Sequence, residues 1–426
     1  MQNEARIPLR VPFFYGWVLL GVFMLGALLA SGLTPTFMSI MLKPLSDDLG
    51  WSRTATAGAI SAGTLAGGPV SAFIGPYTDR YGARVLLPVA AVVAAVGLFL
   101  MSATHVIWMF YLGFVVARSV AQACMISVLP TTTMTNWFSA KRGRALGLVN
   151  MAVPLGSALL APVAITLMAI TGTWRSVFGA LGLAMLVLLV LPALWLMRRR
   201  PEDVGLLPDG ELAAGRASGG RKGGSAAGAD YTLQQALATP AFWLLGASQS
   251  LAILATSSIT FHQVAYYTDL GLGVTLASLS ITVFGVAGAA SNAIWGFLSE
   301  KVSERELAIG VLLLAAVTAV LLLLVNSAFM ALFVSFLLGL AGRGAGGALF
   351  SVLIARYYGR SAIGAISGAL TPFQVGALGV GPLVASVTFD LTGSYELVFK
   401  CFVAVFVASA ALVYLARPPR RLMPAA

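Results

Sequence analysis

The chain has 426 residues, 59% of them hydrophobic and only 10% charged, with a net charge of +11 and a mean hydropathy of +0.91. A soluble protein carries roughly 25% charged residues, so this chain cannot cover a water-facing surface and most of it must face lipid. Its two cysteines, Cys124 and Cys401, both lie in apolar runs, so neither a disulfide framework nor a metal site is indicated.

Arg6 and Arg10 lead directly into an apolar run too long for a cleavable signal peptide. Apolar stretches of about 20 residues read as membrane helices. The first six lie near 16–42, 52–75, 84–103, 105–137, 142–170 and 174–197. The stretch 198–240 that follows is rich in Gly, Ala and charge and cannot build a core, which predicts a flexible linker. Its end, Thr232 to Leu237, predicts a short helix lying along the membrane. Six further spans lie near 241–269, 274–301, 306–326, 328–357, 362–390 and 394–416. The expected fold is an all-α polytopic membrane protein with twelve transmembrane helices. Residues 1–197 and 241–426 would form two pseudo-symmetric six-helix bundles, joined by a cytoplasmic linker over 198–240.

The basic residues set the orientation. With both termini in the cytoplasm, 20 of the 26 Lys and Arg residues fall inside, 4 outside (Lys43, Arg53, Arg175, Lys400) and two within spans. The high net charge is therefore topology, not nucleic-acid binding.

The sequence repeats itself at an offset of 221 residues. Gly75, Asp79, Arg80 and Arg84 align with Gly296, Glu300, Lys301 and Arg305, although the glycine at Gly82 becomes Ser303. Asp48-Leu49-Gly50 returns as Asp269-Leu270-Gly271, and Thr171-Gly172-Thr173-Trp174 as Thr392-Gly393-Ser394-Tyr395. One constant offset over so many landmarks means two homologous halves, and in a chain this apolar that is the signature of a secondary transporter.

A duplicated six-helix unit with Gly75, Asp79, Arg80, Gly82 and Arg84 between spans 2 and 3 resembles the major facilitator superfamily. The resemblance implies that Asp79 sits against the N-terminus of span 11, near Ala362, as a cytoplasmic latch. Within that superfamily, Trp137-Phe138, Lys141-Arg142-Gly143, Ala145-Leu146-Gly147 and Pro154-Leu155-Gly156 are similar to the bacterial monocarboxylate-porter-like group, as are Tyr15-Gly16-Trp17 and Phe242-Trp243. Where the lactate and pyruvate carriers of that group place an Asp and an Arg in span 8 and a Lys in span 1, this chain has Gly288, Asn292 and Thr36. That coupling mechanism therefore lacks all three of its charged groups.

Ionisable residues inside spans are costly and are functional candidates. Arg118 in span 4 and Arg343 in span 10 lie near the midplane, and no carboxylate lies there with them. Arg343 corresponds in the repeat to Gln122, one helical turn from Arg118. A permanently charged planar guanidinium suits a carboxylate, so both are candidates for an anionic substrate; the alternative for each is bonding to backbone or tight packing. His262 in span 7 is the one imidazole inside a span and could carry a proton, or could be a hydrogen-bonded structural residue. Gln122, Tyr266, Asn150, Asn292 and Gln374 are further cavity-lining candidates. No enzyme motif or nucleotide-binding loop is present, so no cofactor is expected. The expectation is a monomeric carrier of a small organic anion in a bacterial cytoplasmic membrane, working by alternating access with proton linkage or anion exchange. An efflux carrier for hydrophobic compounds and a solute-sensing receptor are the alternatives.

Overall fold

The computed structural model describes residues 11–138, 141–204, 206–207, 231–298, 302–346, 348–358 and 363–419. Every regular element among them is helical. Twelve long helical segments follow in order: α1 (Gly16–Leu49), α2 (Arg53–Tyr81), α3 (Ala83–Ser102), α4 (Ile107–Trp137), α5 (Arg142–Thr171), α6 (Arg175–Leu196), α7 (Pro240–Asp269), α8 (Val274–Leu298), α9 (Glu304–Leu323), α10 (Ala328–Gly346 and Ala348–Tyr358), α11 (Ile363–Thr392) and α12 (Glu396–Leu415). Eleven are long and apolar enough to cross a bilayer, and the apolar part of α10, Ala328–Gly342, is shorter. Side chains such as Trp108, Ile170, Phe329 and Leu391 are exposed on their outer faces, as a lipid solvent allows.

Local sequence explains how these helices bend and stop. Pro35 has no amide hydrogen and disfavours a helical residue before it. Thr34 accordingly turns extended at ψ 152° after a 3₁₀ turn over Ser31–Leu33. The Thr34 hydroxyl then donates to the Ser31 carbonyl at 2.6 Å, and its oxygen accepts the amide of Phe37. The helix restarts there and runs on to Leu49, beyond the expected end near 42, because Pro44 is accommodated within it. By contrast, Pro154 and Pro372 lie inside unbroken helices. Two departures had no sequence signal: five-residue and six-residue π segments, Gln122–Ile126 in α4 and Met185–Val190 in α6.

The repeat is visible in backbone geometry. Gly50 and Gly271 have φ of 67° and 82°, and Gly172 and Gly393 both have 70°, so equivalent helix ends stop with the same left-handed residue. Gly82 also has positive φ, whereas its partner Ser303 adopts φ −62° and caps α9 by accepting the Glu306 amide.

Among the described residues, those of 1–50 and 62–220 form one compact unit, and those of 51–61 and 221–426 another. Helix α2 is thus divided, with residues 53–61 in the second unit. In the first unit α1 packs on α5, and α3 on α4 and α6; in the second, α7 packs on α11, and α9 on α10 and α12. The pairings are equivalent under the 221-residue offset. The short helix Leu233–Leu237 is present and packs on α7 and α11. A capping box starts it, with Thr232 accepting the Gln235 amide and Gln235 accepting the Thr232 amide. The middle of 198–240 lies outside the described residues.

Close helix approach within the first unit depends on absent side chains. A Cβ at Gly97 in α3 would lie 2.6 Å from the Gly113 carbonyl of α4, while one at Gly310 in α9 would meet nothing within 4 Å. Gly97→Val should therefore cost about 1–3 kcal/mol through overpacking, read as a lower thermal unfolding midpoint in detergent. Gly310→Val should leave the midpoint unchanged, and equal effects of the two would refute this account.

Candidate functional site

Among the described residues of the first unit, the charged side chain buried within a helix is Arg118, 3% exposed on α4. Its Nε and Nη1 reach no solvent and have no hydrogen-bond partner among the described residues. A buried donor on a charged group costs more when unsatisfied than a neutral one. Space beside it comes from α2. A Cβ at Gly63 would lie 3.2 Å from Arg118 Cβ and 2.7 Å from the Phe114 ring, and one at Gly67 would lie 3.3 Å from Gln122 Cγ. Arg118 and Gln122 therefore share the face that packs on α2. Gln122 also opens the π segment, its carbonyl accepting the Ser127 amide at 3.0 Å. Such segments are frequent at functional sites because they rotate the residues that follow.

The second unit meets the equivalent packing problem with the bulk exchanged. Gly63 and Arg118 correspond to Phe284 and Gly339. A Cβ at Gly339 would lie 2.4 Å from the Phe284 carbonyl, so α8 and α10 touch where α2 and α4 leave room for an arginine. The second-repeat arginine, Arg343, instead takes the Gln122 position. It lies in the α10 helix, and its side chain lies outside the described residues, as do those of Asn292, Asp79, Gly296, Glu300 and Lys301.

The remaining candidates do not gather into one cluster. Asn150 is exposed on α5. Gln374 of α11 donates to Gln249 of α7 at 2.9 Å. Tyr266 donates to the Leu322 carbonyl at 3.1 Å and packs edge-on against Tyr395 and Phe399. His262 is fully buried, with Nδ1 2.9 Å from the Tyr395 hydroxyl and Nε2 2.9 Å from the Pro382 carbonyl. Both ring nitrogens are thus occupied by protein groups. In the loop motif, a Cβ at Gly75 would meet nothing within 4 Å, and Gly82 starts α3 with Arg199 packed against it. Arg80 lies over the Tyr81 ring and Arg84 is exposed. Arg305 donates to the Val413 and Tyr414 carbonyls and so caps the end of α12.

The aspartates at repeat-equivalent helix ends are neutralised differently. Asp48 accepts Arg175 Nη1 at 2.6 Å and the Trp174 indole at 3.0 Å, all within the first repeat. In the second repeat those positions are Glu396 and Tyr395, so Asp269 has no cation of its own there. Arg53, in the part of α2 that belongs to the second unit, supplies it through Nη1 at 2.7 Å and Nη2 at 3.1 Å. Arg53 also donates to the Tyr395 hydroxyl at 2.6 Å and lies 3.8 Å from the Phe389 ring centroid. Burial pushes the Tyr395 pKa up against the opposing pull of Arg53, so the hydroxyl keeps its proton. In the sequence Arg53 is an outside charge in the turn Leu49-Gly50-Trp51-Ser52-Arg53, and the Arg175-to-Glu396 change was the available signal of its pairing. A cleft of about 390 Å³ lined by Pro44, Asp47, Asp48, Met168, Gly172, Thr173 and Trp174 adjoins the Asp48 pair, whose charges already satisfy each other.

Comparison with known proteins agrees with this architecture. The Major Facilitator Superfamily family model matches residues 19–267 and 247–425, and the chain belongs to that superfamily. It is 23% identical over 274 residues to the oxalate:formate antiporter of Oxalobacter formigenes, covering 63% of this chain and 60% of that protein. It is 27% identical over 149 residues to a protein of Escherichia coli (strain K12) named "Probable L-galactonate transporter", covering 34% of this chain and 32% of that one. The chain thus spans less than two thirds of the length of either relative. A solved bacterial homologue of the human lysosomal transporter Spinster superposes with a TM-score of 0.69 at 17% identity, covering 97% of this chain and 99% of that one. This likeness establishes the fold.

The exchanged packing can be tested by transplanting it. Gly63→Phe alone should destabilise by about 1–3 kcal/mol through overpacking against Phe114 and Arg118. The double variant Gly63→Phe with Arg118→Gly, which reproduces the second repeat, should recover most of that loss in a thermal melt. Additive losses would show that the two positions do not compensate.

Proposed function

We propose that this superfamily member is a secondary transporter of a small organic anion, a carboxylate, working by alternating access. Arg118 carries the reading: it is buried, permanently charged, and has two donor atoms without partners among the described residues. A carboxylate offers acceptor oxygens and a compensating charge to such a guanidinium. Arg343 is the second cation of the proposed site by its place in the repeat, with Gln122 beside Arg118 as a polar neighbour. Two observations lie alongside this. The substrates named for the relatives, oxalate, formate and L-galactonate, are carboxylates. The motifs before and within α5 resemble those of the monocarboxylate-porter-like group.

A site built on permanently charged arginines seldom returns empty, because an unpaired cation in a low dielectric is costly. Transport is then an exchange of anions, or uptake in which a proton travels with the substrate. Purified protein should be stabilised against heat by a mono- or dicarboxylate, since a ligand of the folded state raises its stability. Arg118→Gln should abolish that shift, and Arg118→Lys should restore it only in part because a point charge replaces a planar donor set. Exchange further requires trapped internal anion for uptake into proteoliposomes, whereas proton linkage requires only an imposed pH gradient. A full ligand-induced shift in Arg118→Gln would remove Arg118 from the site.

The division of basic residues, 20 against 4, favours an orientation with both termini and the 198–240 stretch on the cytoplasmic side of a bacterial inner membrane. Single cysteines at Ala214 and Thr392, in a background lacking Cys124 and Cys401, test the orientation. An impermeant thiol reagent applied to intact cells should label the second position and spare the first. The reverse pattern would invert the topology.

A further inference from the structure

The anion site leaves unused a hydrogen-bonded chain in the second unit that runs from the buried His262 and Tyr395 out to Arg53 and the exposed Asp269. Its donor directions follow from chemistry. A guanidinium has donors only, so the Tyr395 oxygen accepts Arg53 Nη1 at 2.6 Å. The hydroxyl proton is then free to point at His262 Nδ1, 2.9 Å away. Nδ1 is accordingly the bare nitrogen, and Nε2–H donates to the Pro382 carbonyl at 2.9 Å, with Ser386 Oγ at 3.1 Å. Every bond in the chain is satisfied when the imidazole is neutral.

The groups around that imidazole come from four helices. Tyr395 precedes α12 and itself contacts Arg53 of α2. Pro382 and Ser386 belong to α11, as does Asp390, whose Oδ2 accepts the Thr54 amide of α2 at 3.0 Å. Phe261 is edge-on to the ring from α7, and Asp269 at the end of the same helix holds Arg53. Both carboxylates therefore serve α2, and the nearest cation to the imidazole is Arg53, one hydroxyl oxygen away.

We propose that His262 is a proton-binding site whose occupancy releases the first turn of α2 from the second unit. A proton on Nδ1 takes the lone pair that Tyr395 donates to. The Tyr395 oxygen must then face two cationic donors, the imidazolium and Arg53, across a buried gap, and like charges at that separation repel. Docking of Arg53 and protonation of His262 exclude one another in this way. The docked state holds fewer protons than the released one, so docking strengthens as pH rises and weakens as pH falls. The proposal deepens the proton-linked version of transport and rests on that reading only for its use in transport; the link between proton and docking requires no substrate.

Hydrogen–deuterium exchange of the full chain in nanodiscs, without added anion, reads the docking through residues 51–60, which include the Thr54 amide held by Asp390. After correction for intrinsic exchange, protection in the wild type should fall about tenfold or more between about pH 7.5 and about pH 5, the range in which histidine titrates. His262→Gln should flatten the profile, and Tyr395→Phe, which keeps the ring and removes the hydroxyl, should flatten it independently should the first variant fail to fold. Arg118→Gln should keep the wild-type profile while losing carboxylate binding, which separates failure here from failure of the anion site. A wild-type profile that ignores pH, or a pH response that survives in a folded His262→Gln or Tyr395→Phe variant, would overturn the proposal.

Discussion

Lipid offers no hydrogen bonds, and the internal organisation of this protein follows from that lack. Each polar group carried into a span must find a partner within the protein or accept a large cost. Most hydroxyls take the short route back to their own helix: Ser119 to Val115, Thr318 to Leu314, Ser409 to Val405 and Thr260 to Thr256. Others tie helices together, as Ser248 does with the Ser409 carbonyl and Ser258 with that of Gly381. Against that background Arg118 stands out, because it is the kind of group that costs most to leave unsatisfied.

Duplication supplied two copies of one framework, and function depends on how they diverged. Equivalent helices pack in equivalent pairs, and equivalent glycines end them in the same left-handed conformation. Within that shared frame, changes come in compensated sets. A glycine and an arginine in one repeat become a phenylalanine and a glycine in the other, which removes the charge at that place. An aspartate loses its neighbouring arginine when Arg175 becomes Glu396, and Arg53 takes over from another helix. The second change has a larger consequence. It makes the neutrality of Asp269 depend on where the first turn of α2 lies, and it brings a cation within one hydroxyl of the buried His262. A local charge substitution thereby couples a titratable group to a helix end.

The number, order and approximate limits of the helices were legible in the sequence because lipid imposes a composition and a length on each span, and because the 221-residue repeat could be checked against itself. The same pattern pointed to the superfamily, to the short helix at Leu233–Leu237 and to Arg118, since a charged residue in an apolar run is conspicuous without any structure. What an arginine or histidine contacts is another matter, being set by residues hundreds of positions away. The tertiary structure alone showed that Gly63 makes room for Arg118, that a π segment begins at Gln122, and that Arg53 holds Asp269. It also put His262, read from sequence as a proton carrier or a hydrogen-bonded structural residue, at the end of a hydrogen-bonded chain. Periodicity and hydropathy report how a residue is solvated along one helix. Partners across helices depend on rotation and depth, and those are decided only when the helices pack.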